Sequence, residues 1–361
     1  MSAPRRTSLS DVLASWSAAR VAVLGALVLA SFLTLRNRQG LLGWDALYYA
    51  SIADIGYPLD APNVTRFFPL VALIARAVSV APGVSTGVAL LLVANVGALA
   101  YAWLLQRLAL AEGLDEGAAG RAVWLLTLAP PAFVLVMGYA ESVYGALTVG
   151  FLAALRRRAW GQAAVLGLLA GTCRPLAVVL VAVAMVEVGR GLRDTGAREV
   201  LRRLGAVLAP AVGTGAYLAY IGMRTGQPFL PFTVQSKAEF RGQIVGNPFS
   251  VAYRLVFGAL DGNSIGSGLH VVWLLVYLVL LVVVARRLPA SYTVLAALTL
   301  LLAATSGGMN SLERYAWSAF PFTLVLAQLT TRPWAFRLAL TVSTAGLAGY
   351  ALFAFAGRFV P

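Results

Sequence analysis

Uncharged apolar stretches alternate along the chain with short polar clusters, and each stretch is apolar on every side rather than along one helical stripe or at every second residue. A bilayer core about 30 Å thick takes roughly 20 such residues per helix, with about 17 to 25 tolerated. Runs near that length lie at 18–35, 86–106, 122–138, 140–155, 160–172, 175–189, 204–222, 269–285, 289–305, 315–330 and 336–356. The pattern therefore predicts an all-α polytopic membrane protein with about eleven transmembrane helices. Membrane-spanning strands are excluded, because no segment sustains the roughly ten-residue alternation of an outer-membrane barrel.

Composition agrees with that reading. Of 361 residues, 60% are hydrophobic and 12% charged, against about 25% charged in an ordinary soluble domain. Lys plus Arg number 28 and Asp plus Glu 14, a formal net charge of +14. In a soluble chain such an excess would point to nucleic acid. Here the basic residues sit in short clusters between apolar runs, as cytoplasmic loops require, so no nucleic-acid partner is expected. Lys237 is the only lysine, and the heavy use of Ala, Gly and Arg is that of a GC-rich bacterial gene. One cysteine, Cys173, permits no internal disulfide, and one histidine, His270, gives no zinc-type spacing.

Loop charge predicts which side is which. Arg107, Arg121, Arg156–Arg158, the cluster from Arg190 to Arg203, Arg286, Arg287, Arg332 and Arg337 fall in one set of loops; the opposite set holds half as many, Arg174, Arg224, Lys237, Arg241, Arg254, Arg314 and Arg358. The richer set is expected in the cytoplasm together with the amino terminus, which carries Arg5, Arg6 and Arg20, and the first helix is expected to be retained rather than cleaved as a signal peptide. Only two full crossings then fit between Arg20 and Arg107. Phe67 to Val80, interrupted by Arg76, is accordingly read as lying in the interface. Two long extracytoplasmic segments result, 36–82 and 222–268. No period of about 20 to 50 residues repeats, and no Pro- or Ser-rich linker divides the chain, so residues 1–361 are read as a single membrane-embedded domain.

Soluble-enzyme signatures do not account for the chain: GxGxxG, GxxxxGK[ST] and HExxH are absent, as is the Asp-x-Asp pair of a metal-dependent nucleotide-sugar transferase. What remains is a set of external carboxylates, Asp45, Asp54, Asp60, Glu239, Asp261 and Glu313, with Glu141 at the start of an apolar run. If residues 44–55 are helical, Asp45, Tyr48, Tyr49 and Ile52 share a face at i, i+3, i+4 and i+7. An acid beside aromatic rings suits a sugar site, the rings stacking on the sugar and the carboxylate accepting a proton from an attacking hydroxyl. The same residues, with Trp44 and Tyr57, equally describe an aromatic belt at the membrane surface beside solvated acids.

The segment from Trp44-Asp45 through Tyr49, Ile52-Ala53 and Gly56-Tyr57, followed by Phe67-Phe68-Pro69-Leu70, resembles the first-loop signature of the second GPI mannosyltransferase family (PIG-V) and its bacterial relatives, within the membrane-embedded C-type glycosyltransferase class. Three later stretches agree in order and spacing: Tyr139-Ala140-Glu141-Ser142, Arg174-Pro175, and Leu312-Glu313-Arg314-Tyr315 with Phe320-Pro321. One departure is that Tyr48 and Tyr49 stand where members often carry histidine after the first Asp. The chain also lacks the luminal insertions of eukaryotic members.

The resemblance implies an inverting glycosyltransferase that takes mannose from polyprenyl-phosphate-mannose, with Asp45 as general base and a lipid-linked or cell-surface glycan as acceptor, outside a bacterial plasma membrane. Arg314, Arg174 and Arg66 belong to the matching motifs and are candidates for the donor phosphate, since guanidinium meets phosphate in a bidentate fork. Trp44, Tyr48, Tyr49, Asp54, Tyr57, Glu141 and Tyr315 are candidate sugar or acceptor contacts, and Lys237 and Arg241 a candidate lid. No metal or cofactor is expected. Structural roles stay open beside these: Arg174 as a cap, Arg314 paired with Glu313 or Glu141, Glu141 at a helix amino terminus, and 235–243 as a solvated loop. Alternatives in function are a same-class transferase using another sugar such as arabinose, or a lipid-linked sugar translocator, for which no inverted repeat is visible.

Overall fold

Among the described residues, helical segments cover most of each apolar run. Where no water is at hand, backbone N–H and C=O groups must pair within the segment itself, and a helix does that. A computed structural model describes residues 9–33, 40–190, 196–237, 265–306 and 311–357, with Met309 and a few positions between 247 and 257. Among the described residues, the helices of six residues or more are, in chain order, α1 (Leu9–Leu33), α2 (Asp45–Ile55), α3 (Leu70–Val78), α4 (Thr86–Ala111), α5 (Glu116–Thr127), α6 (Glu141–Arg156), α7 (Trp160–Cys173), α8 (Val179–Val188), α9 (Ala197–Thr225), α10 (Ile265–Arg287), α11 (Ala290–Thr305), α12 (Leu312–Trp317), α13 (Pro321–Leu329) and α14 (Pro333–Phe355). Short 3-10 turns at Pro62–Arg66, Pro130–Leu135 and Pro175–Val178 each open on a proline.

Among the described residues, five helices are long and apolar enough to cross a membrane: α1, α4, α9, residues 269–287 of α10, and α14. They make the chain an integral membrane protein. Other runs form shorter pieces. Pro130 and Pro131 lack N–H groups and hold Ala129 extended (ψ 148°), so the run 122–138 becomes α5 and a 3-10 turn rather than one span. Pro321 likewise marks the division of 315–330 between α12 and α13. Helix α3 has nine residues, about 14 Å of rise, roughly half a bilayer core; it buries Val71, Ala72 and Ala75 and exposes Arg76. Helix α1 begins well before residue 18, so Arg20, counted above with the amino-terminal loop, lies near the helix middle.

Contacts divide the chain into two units assembled from separated stretches. The first comprises Met1–Asp54, Val71–Gly150 and Phe322–Val360. Within it α1 packs against α14, α4 and α5. Arg20 secures the arrangement by donating to Asn95 Oδ1 (2.9 Å), the Trp16 carbonyl (3.1 Å) and the Leu135 carbonyl (3.1 Å), which satisfies a cation that would otherwise be costly among apolar side chains.

The second unit comprises Ile55–Leu70 and Phe151–Pro321. Its spine is the crossing of α7 and α9, where small residues let the two backbones meet. A Cβ on Gly171 would lie 2.2 Å from the Pro210 carbonyl oxygen, and one on Gly213 2.1 Å from that of Leu168. Glu187 of α8 accepts the Ser291 hydroxyl from α11 and pairs with Arg156 (3.6 Å) and Arg190 (3.3 Å). Glu199 accepts the Trp160 indole N–H and meets Arg203 at 3.4 Å. Three arginines of the richer loop set are thus tied into ion pairs.

Candidate functional site

In the first unit the acid-bearing helix is placed by its entry. Trp44 turns the chain with a left-handed φ of 57°, and its indole N–H donates to the Ala354 carbonyl at 2.8 Å. Helix α2 then starts on Asp45, where a carboxylate meets the positive end of the helix. Ala46 is fully buried against Gly138: a Cβ on that glycine would stand 3.2 Å from the Ala46 Cβ. The Gly138 N–H reaches the Leu41 carbonyl (3.2 Å), and the Asp45 N–H reaches the Tyr139 hydroxyl (3.4 Å). The first-loop segment and the Tyr139–Ser142 stretch, far apart in sequence, are therefore brought together. Glu141 heads α6 and is 3% exposed.

Of the face drawn from sequence, Tyr49 and Ile52 are buried, while Asp45 and Tyr48 stay half-buried at its edge. Asp54 is exposed and accepts the Thr86 hydroxyl at 2.6 Å, which ties the end of α2 to the start of α4.

The second unit holds the remaining sequence candidates. Tyr57 donates its hydroxyl to the Phe67 carbonyl at 2.7 Å, and Tyr217 of α9 donates to the Thr65 carbonyl at 2.6 Å. The Tyr217 ring lies 4.4 Å from Phe68 and 5.5 Å from Tyr57, centroid to centroid. Burial pushes the Tyr57 phenol above its ordinary range, Tyr217 opposing and Tyr220 adding to the shift, so the group stays protonated and donating. Arg66 folds back, its Nε–H on the Asn63 carbonyl (3.0 Å) and its guanidinium 5.2 Å from the Phe67 ring centroid. This clamp uses the hydroxyl of Tyr57 structurally, and Tyr217, its centre, was not singled out from sequence.

Arg174 and Arg314 converge. Arg174 ends α7 in extended conformation (φ −153°), ahead of Pro175, and its guanidinium is 5.1 Å from the Tyr315 ring centroid; that of Arg314 is 5.4 Å from the same ring. Both arginines are buried, at 8% and 5% exposure. Two positive charges on one ring make an environment that favours an anion. Beside them Glu313, fully buried, lies 2.8 and 2.9 Å by its two oxygens from His270 Nδ1. His270 is thus a partner of Glu313. The sequence signal for it was a lone ionisable residue at the start of an apolar span.

Lys237 is exposed, and Arg241 lies outside the described residues. Among the described residues, no three His, Cys, Asp or Glu side chains gather as a metal site would require.

The fold is similar to that of a solved oligosaccharyltransferase. The particular likeness is to the Archaeoglobus fulgidus oligosaccharyltransferase, whose apo form matches with a TM-score of 0.51 at 12% identity, over 96% of this chain and 56% of that one. Its form tethered to an acceptor peptide gives 0.47 at 12% identity, over 95% and 56% of the two chains. Its complex with Zn and sulfate gives 0.46 at 14%, over 94% and 53%. The chain thus spans about half the length of the structures it matches. No protein-family profile matches it, and no curated protein shows significant similarity.

Proposed function

We infer that the protein is a PIG-V-like, polyprenyl-phosphate-sugar-dependent glycosyltransferase that moves mannose, with inversion, to a lipid-linked or cell-surface glycan outside the bacterial plasma membrane. The observation that carries this reading is the convergence of Arg174 and Arg314 on Tyr315, a buried cationic pair of the kind that would hold a phosphate diester. In the transfer, the acceptor oxygen forms a bond to the anomeric carbon while the bond from that carbon to the phosphate oxygen breaks. Polyprenyl phosphate leaves, and the acceptor proton passes to Asp45. Arg174, Arg314 and Arg66 stabilise the departing phosphate. Tyr48, Tyr49, Tyr315, Glu141, Trp44, Asp54 and Tyr57 surround or shape the sugar and acceptor contacts, and Lys237 with Arg241 covers the donor. About eleven crossings, some made by short helices, complete this topology.

The test is transfer of label from radiolabelled polyprenyl-phosphate-mannose by the purified protein to candidate glycolipid acceptors. Transfer that survives EDTA supports the reading, and activity abolished by EDTA and restored by magnesium or manganese overturns its metal-free form. Transfer from the arabinose donor alone changes the sugar. Movement of the lipid across a vesicle without transfer replaces the enzyme with a translocator.

A further inference from the structure

Helix α12 is six residues long, too short to hold its own conformation. It follows Ser311, whose φ of 66° is strained for a residue with a side chain. What fixes it comes from α10. His270 donates its Nδ1–H to the Glu313 carboxylate, and the Tyr277 hydroxyl donates to the Glu313 carbonyl at 3.4 Å. His270 and Tyr277 stand seven positions apart, two turns along one face of α10, so a single helix face grips both the side chain and the backbone of one residue in the first turn of α12. Arg314 is the next residue. Any rotation of α12 that moves the Glu313 carboxylate swings the Arg314 guanidinium with it.

A buried pair of this kind adds little stability over an apolar substitute, but it allows one arrangement and penalises others, because a carboxylate left alone in the interior is costly. We propose that His270 is a positioning residue: through Glu313 it sets the orientation of α12, and so the placement of Arg314 and Tyr315 against the phosphate of the lipid donor. This rests on the transferase reading above. His270 does not touch the reacting atoms.

The test uses the full chain in detergent with polyprenyl phosphate, without sugar, as the probe, titrated by intrinsic tryptophan fluorescence. Arg314→Gln is expected to weaken binding about tenfold or more. His270→Leu is expected to weaken it about five- to tenfold, yet by less than about twofold when added to Arg314→Gln, since both act through one contact. His270→Asn supplies an N–H in the place of Nδ1–H and restores affinity to within about threefold of wild type. If His270→Leu binds like wild type, or its effect multiplies with that of Arg314→Gln, the proposal is overturned while the phosphate assignment stands. If Arg314→Gln binds like wild type, the assignment falls and the proposal with it. Should His270→Leu not fold, Tyr277→Phe carries the same comparison, with an expected loss of about threefold.

Discussion

Asp54 lies exposed at the end of α2 and holds Thr86, whereas Asp45 stands half-buried at the head of α2, its N–H on the Tyr139 hydroxyl. That difference predicts different mutants. Asp45→Asn keeps the shape and removes the basicity, so turnover is expected to fall about a hundredfold or more while polyprenyl phosphate binding holds. Asp54→Asn keeps an acceptor for Thr86 and is expected to stay within about threefold of wild type. Turnover of the three proteins, each checked by detergent gel filtration, decides it: wild-type turnover in Asp45→Asn with loss in Glu141→Gln would transfer the base to Glu141. Individual roles were only partly legible in the sequence. Tyr57 reads there as a ring for sugar, and its clamp on Phe67 depends on Tyr217, which lies on a distant helix that no local spacing connects to it.

For the helices, legibility was high in existence and lower in length. Hydropathy finds every apolar run but does not report backbone hydrogen bonding, so Pro130-Pro131 and Pro321 divide runs that composition alone leaves whole. Nor does hydropathy report how closely two helices approach. Gly213 and Gly215 lie two residues apart on α9, yet a Cβ on the first would strike the Leu168 carbonyl and one on the second would meet open space. Gly213→Ala is therefore expected to cost about 2–3 kcal/mol or more through forced separation of α7 and α9. Gly215→Ala should gain about 0.5–1 kcal/mol from its better helix propensity. Thermal unfolding of the two variants in one detergent compares them directly, and equal shifts of either sign would remove the account of the crossing.

The sidedness of the whole molecule rests on loop arginines, several of which turn out to be engaged with Glu187 and Glu199. A protein with one buried cysteine suits a direct test, because Cys173 is shielded in the fold. After its replacement, Asp60→Cys is expected to react with an impermeant thiol reagent in intact cells, and Arg157→Cys only after permeabilisation; both positions are exposed. The reverse pattern would place the acids in the cytoplasm and end the lipid-donor mechanism. Assembly adds a matter of timing. A ribosome delivers α1 long before α14, yet the two pack together, and the Trp44 indole N–H finds its acceptor 310 residues downstream at Ala354. At about 5–20 residues per second, that acceptor arrives roughly 15 to 60 seconds after the tryptophan. For that interval the first unit waits unclosed in the membrane, its early helices sheltered by lipid or by the insertion machinery, and a chain cut short after Pro321 never receives the piece that closes it.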